Sequence, residues 1–183
     1  DIKNHKLVLA TFHRRENWGK NVNNICCSIS EILDRTKDTF FIIPMHKNKI
    51  IRDKILNLLS KNPKVILTEP LKYNELISIM KISHFIITDS GGIQEEAPSL
   101  GKPVLVLRNK TEREEAIKAG CAKLVGTEKT KIIQECMKLL NDELSYKRMS
   151  NIKNPFGDGN SSEIIVNDLI DLARNNEFNI CLL

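Results

Sequence analysis

The chain has 183 residues, of which 41% are hydrophobic and 28% charged, with a formal net charge of +5. That length suits one domain with a core of its own, and the balance excludes disorder. The longest apolar runs, Lys6 to Phe12 and Pro103 to Leu107, fall far short of the roughly 20 residues a bilayer span needs, and no charged-then-apolar leader opens the chain, so a cytoplasmic protein away from membranes is expected.

Short β-rich runs alternate with amphipathic helices from end to end. The runs are Lys6 to Thr11, Thr39 to Pro44, Lys64 to Thr68, His84 to Thr88, Pro103 to Leu107 and Ala122 to Gly126, each nearly continuous in apolar residues, as strands buried on both faces should be. Between the first two, Val22, Ile25, Cys26, Ile29, Ile32 and Leu33 recur at helical spacing, and Ile51, Ile55, Leu58 and Leu59 repeat the pattern after the second. Tyr73 to Ile82 and Lys129 to Leu140 are weaker copies. A linker-like stretch, Lys153 to Ser162, precedes a last helix from Glu163 to about Arg174 with an apolar face. Such alternation requires long right-handed crossovers, and so predicts a doubly wound parallel α/β sheet with helices on both faces, over residues 1–183 as a single domain.

In such a sheet ligands bind beyond the carboxyl ends of the strands, where strand order reverses. The turn after the fourth run, Ser90-Gly91-Gly92, offers a hydroxyl, two residues without Cβ and backbone N–H groups at a helix start. It reads either as an anion site or as an ordinary strand-to-helix turn. Glu96 shares a helix face with Gly92 and points along the cleft, where a carboxylate can accept hydrogen bonds from both ribose hydroxyls, whereas Glu95 faces solvent. Pro98 sits where that helix should still run, so the helix ends or kinks there and restarts with proline in its first turn. After the first run, His13, Arg14, Arg15 and Glu16 put a titratable ring and two cations at the cleft mouth; the bland alternative is a surface ion cluster. Beyond the fifth run, Thr111 and Glu114 read as a capping box, leaving Arg113 as a phosphate ligand. His46 is a loop polar residue that shares the carboxyl edge.

Other chemistries have little support. The five cysteines (Cys26, Cys27, Cys121, Cys136, Cys181) are odd in number and contain no C-x-x-C pair, so neither a disulfide framework nor a zinc site is expected, and most read as small core residues. Basic residues alternate with acidic ones and aromatics are only 5%, which argues against nucleic acid as a partner.

The ordered motifs "TFHRREN", "TDSGGIQEEAPSLGKPVLVLR", "TER", "LVGT" and "NPFGDG" closely resemble the non-hydrolysing UDP-N-acetylglucosamine 2-epimerases, from about Leu7 to Leu169. The resemblance implies the Rossmann-like C-terminal half of a GT-B architecture, with UDP and UDP-N-acetylhexosamines as ligands, no metal or redox cofactor, and a homodimer at full length. It implies Ser90, Gly91 and Gly92 on the diphosphate, Glu96 on the ribose, and His13 and Arg113 on the phosphate side, His13 being the catalytic group that assists the leaving diphosphate as a cation. Arg14 and His46 fall where a second, activating UDP-N-acetylglucosamine is expected. Members eliminate UDP from C1 as the C2 proton leaves and then add both back on the other face. Their proton-abstracting acids lie in an N-terminal domain that this chain is expected to lack, so the chain alone should be inactive, with 163–183 reaching toward that domain. Two departures stand out. Glu114 replaces a proline after "TER", and Leu71 and Leu76 stand where a polar and an aromatic residue would line the uracil pocket. The alternatives are a GT-B glycosyltransferase donor domain and a non-catalytic nucleotide-binding remnant.

Overall fold

The computed structural model describes residues 5–174; Cys181 and the segment 175–183, part of the expected reach toward another domain, lie outside the described residues. Six strands form one parallel sheet: β1 (Lys6–Thr11), β2 (Thr39–Pro44), β3 (Val65–Thr68), β4 (Phe85–Thr88), β5 (Val104–Val106) and β6 (Ala122–Leu124). Their order across the sheet is β3-β2-β1-β4-β5-β6. The chain builds outward from β1 to one edge, returns to lay β4 against the other side of β1, and then builds to the opposite edge. The order therefore reverses between β1 and β4, which is where a doubly wound sheet opens a crevice.

Alternation along each strand divides the core in two, because successive side chains leave a strand on opposite faces. Val8, Ala10, Phe41, Ile43, Phe85 and Ile87 pack beneath α1 (Lys20–Arg35), α2 (Lys49–Leu59) and α6 (Lys129–Asn141), through residues such as Ile25, Ile29, Ile55 and Ile132. On the other face Leu7, Leu9, Ile86, Val104 and Val106 meet Met80 of α3 (Tyr73–Ile82), Ile93 of α4 (Gly91–Glu96) and Ala116 of α5 (Glu114–Ala119). Both faces of every central strand are covered, which explains their near-continuous apolar sequence.

Pro98 acts as its position suggests. The helix α4 stops at Glu96, and a 3-10 turn, Ala97–Leu100, continues with Pro98 in its first turn and Gly101 closing it at φ 64°. One element was not legible: α7 (Glu143–Ser150) carries no buried residue, so the apolar period that marks the others is missing. Its start signal is Asp142, whose carboxylate accepts the Ser145 N–H at 3.0 Å. The last helix, α8 (Ser161–Arg174), begins two residues before the expected Glu163, and its apolar residues Ile164, Ile165, Val166, Leu169, Ile170 and Leu172 are all exposed.

Three of the four described cysteines are core residues. Cys26, Cys121 and Cys136 are buried, and burial raises all three thiols, that of Cys26 to about 12; Cys27 is exposed. Since the thiolate is the nucleophile, a water-soluble maleimide at pH 8 is expected to label Cys27 in the native protein, and Cys26, Cys121 and Cys136 only after denaturation. Peptide mapping by mass spectrometry checks this, and native labelling of Cys136 would contradict the packing of α6.

Candidate functional site

The crevice between β1 and β4 is built from the ends of those strands. Thr11 and Thr88 are register partners, and their hydroxyls meet at 2.6 Å in the sheet interior. The next residue, Asp89, is wholly buried. Its carboxylate accepts the backbone N–H groups of His13 (3.2 Å) and Arg14 (2.9 Å) and the side-chain amide of Asn17 (2.8 Å). Asn17 also donates to the Leu107 carbonyl at 3.2 Å, so the loop after β1 is tied to the ends of both β4 and β5. A buried carboxylate is tolerable only when its lone pairs are filled in this way.

From this anchor the chain turns into α4. Ser90 is the N-cap residue, yet its side chain makes no capping bond, and its N–H donates to the Thr88 hydroxyl at 3.0 Å. Gly92 faces open space: a Cβ there would meet nothing within 4 Å. Gly91 is different, since a Cβ would lie 3.0 Å from the Arg113 guanidinium carbon. Glycine at 91 thus lets Arg113 lie flat against the turn. The buried Gln94 completes the scaffold, donating to the Ser90 carbonyl (3.0 Å) and accepting from the Thr111 hydroxyl (2.7 Å).

His13, His46, Ser90, Gly92 and Glu96 line one cleft of about 440 Å³, whose other walls include Met45, Leu71, Tyr73, Leu76 and Ile93. The two leucines noted as departures are therefore part of its apolar wall. The His13 and His46 rings stack with centroids 5.9 Å apart, and the His46 Nδ1 accepts the Asn48 N–H at 3.0 Å. Burial lowers the His13 pKa, the Asp89 carboxylate opposes that shift, and His46 adds to it. The surroundings thus disfavour the cationic form expected of His13.

Several expected residues stand elsewhere. Arg113 and Gly91 are outside the cleft lining, and Arg113 Nε donates to Glu95 at 2.7 Å; Glu95, partly exposed as expected, is thus also an ion-pair partner. Arg14 is anchored through its backbone, does not line the cleft with His46, and its charge acts on Glu112. The Thr111–Glu114 capping box does not form. Glu114 is the first residue of α5, too early to reach back, and it pairs with Lys118, while Thr111 accepts the Arg113 N–H at 3.2 Å. Arg108, nearly buried, binds Glu16 at 2.7 Å and grips Glu112 with two bonds of 2.7 and 3.0 Å, which holds Glu112 down at about 2. Glu16 thus fits the ion-cluster alternative. Asp89, Asn17 and Gln94 were not singled out from sequence; a lone polar residue ending an apolar strand was the available signal for Asp89.

Fold and cleft together define a Rossmann-like α/β domain with its crevice at the switch point. The sequence profile of UDP-N-acetylglucosamine 2-epimerase matches residues 1–170, and the chain belongs to that family. The UDP-N-acetylglucosamine 2-epimerase of Neisseria meningitidis is 50% identical over 167 residues, covering 91% of this chain and 45% of that protein, and that of Campylobacter jejuni is 48% identical over 174 residues, covering 95% and 45%. Among solved structures, the N. meningitidis epimerase bound to UDP-GlcNAc superposes with a TM-score of 0.87 at 49% identity, covering 92% of this chain and 45% of that one. A co-structure of S. aureus MnaA with UDP gives 0.89 at 44% identity, covering 95% and 47%. The chain spans about half the length of the curated relatives it matches.

Asp89→Ala leaves two backbone N–H groups and the Asn17 amide without their acceptor, and is expected to cost about 2–4 kcal/mol. A urea titration checks this through a lowered midpoint; an unchanged midpoint would mean that the staple holds nothing.

Proposed function

We propose that this chain is the UDP-binding half of an enzyme that interconverts UDP-N-acetylglucosamine and UDP-N-acetylmannosamine by eliminating and re-adding UDP. The observation that carries the reading is the convergence of the Ser90–Gly92 turn, Glu96 and His13 on one cleft at the switch point, in a chain that belongs to the epimerase family. Ser90 and the glycine turn take the diphosphate, Glu96 accepts the ribose hydroxyls, and the apolar wall of Leu71 and Leu76 receives the base. Arg113 reaches the diphosphate from beside Gly91 by exchanging Glu95 for phosphate. Arg14 and His46 take part in a second site for an activating UDP-N-acetylglucosamine.

The chemistry follows from where charge develops. As the C1–O bond breaks, the bonding electrons leave with the diphosphate, and the C2–H electrons form the C1–C2 double bond of the glycal. A neutral His13 gains a proton as the anionic diphosphate settles beside it, and returns that proton to the leaving oxygen. The group that takes the C2 proton belongs to the rest of the protein. The full-length protein is a cytoplasmic homodimer without nucleic-acid partners, and the exposed apolar face of α8 packs on that remaining half. A glycosyltransferase C-terminal domain from Francisella tularensis, 12% identical with a TM-score of 0.62, shares the fold alone and lends the transferase alternative no support.

Isothermal titration of the 183-residue chain with UDP tests the reading. Binding is expected, and Glu96→Ala is expected to weaken it by about 1–3 kcal/mol. The chain alone is expected to show no epimerisation and to regain it when the remaining half is supplied separately. No binding by the wild type, or turnover by the chain alone, would overturn this assignment.

A further inference from the structure

The "NPFGDG" stretch lies outside the cleft, yet it is built onto the helix that carries Glu96. Asn154 spends all its hydrogen-bonding groups there: Nδ2 donates to the Glu95 carbonyl at 3.1 Å and to the Ser99 hydroxyl at 2.5 Å, and Oδ1 accepts the Phe156 N–H at 3.1 Å. Ile152 and Phe156, on either side, pack on the core cluster that contains Ile93 and Ala97. The Gly101 turn comes so close that a Cβ there would lie 3.2 Å from the Ser150 carbonyl.

Glu95 lies in the last turn of α4, and Asn154 brings a donor to its carbonyl from another segment of the chain. It does so at the joint between α4 and the 3-10 turn, where Glu96 sits with its side chain reaching the cleft on one side and the groove under 152–161 on the other. A carboxylate at an unbraced joint could swing between the two.

We propose that Asn154 is a positioning residue that fixes the end of α4 and thereby aims Glu96 at the ribose of the bound nucleotide. The idea rests on the UDP reading given above. Asparagine is required over aspartate: an aspartate at 154 still accepts from the Phe156 N–H and accepts from the Ser99 hydroxyl once that group turns from acceptor to donor, but it cannot donate to the Glu95 carbonyl. The change Asn154→Asp therefore keeps the size of the side chain while replacing the donor to Glu95 by a carboxylate.

The test is the ratio of affinities for UDP and 2′-deoxy-UDP, measured by titration calorimetry on the 183-residue chain, since a general loss of stability would weaken both alike. The wild type is expected to favour UDP by about tenfold, the worth of a hydrogen bond to a charged group. Asn154→Asp should bring the ratio close to one. Ser99→Ala, which keeps the bond to Glu95, should preserve it. A wild-type preference that survives Asn154→Asp, or that is lost equally in Ser99→Ala, overturns the positioning role while leaving the UDP site standing. A wild type that binds neither nucleotide overturns the UDP reading, and the positioning role falls with it.

Discussion

One buried carboxylate organises this molecule's working edge. Asp89 ends β4 at the point where strand order reverses, and it draws in the loop that leaves β1 through two backbone N–H groups and an amide. Taking a carboxylate wholly out of water is expensive unless its oxygens are filled, so the loop that fills them is held as firmly as the charge is buried. Asn17 passes the constraint to β5 by bonding the Leu107 carbonyl. Three strand ends thereby become one rim, and the positions of the His13 ring and the Ser90 turn follow from it.

Charges around that rim are largely matched before any ligand arrives. Arg108 is held between Glu16 and Glu112, and Arg113 rests on Gly91 with Glu95. Arg108 is nearly buried while its two carboxylate partners are half-exposed, and it ties the loop after β1 to the loop before α5. The Arg113 pair is partly exposed, so its ion pair is weak and exchangeable. On the proposed reading, a diphosphate entering the cleft meets His13, whose cationic form burial disfavours, and an arginine one exchange away. The proposed role of His13 would draw on such a coupling between arriving negative charge and proton uptake.

Most of the fold was legible because the strands are buried on both faces. Continuous apolar runs such as "KLVLAT" and "TFFIIP" fall on β1 and β2 without adjustment. The cleft was legible too, since the switch-point rule names the loops after β1 and β4 before any coordinates exist. What could not be read were the partners of polar residues that depend on chain segments far apart. The exposure of Glu95 follows from its angle on the helix, but its partner Arg113 comes from a distant loop and could not be read. The capping box at Thr111 failed because α5 starts at Glu114, with Arg113 and not Thr111 at its N-cap. Helix α7 lacks a buried stripe, so no periodicity announces it.

The central claim is that nucleotide diphosphate binds at the β1–β4 switch point. A backbone amide NMR titration of the isotopically labelled chain with UDP tests it most directly. The account predicts that the largest shifts fall on His13, Ser90, Gly91 and Gly92, with Asn109, Thr127 and the start of α6 nearly still. Shifts concentrated at Asn109 and Thr127, in the polar groove beyond β5 and β6, would contradict it and move the site to the far side of Arg108.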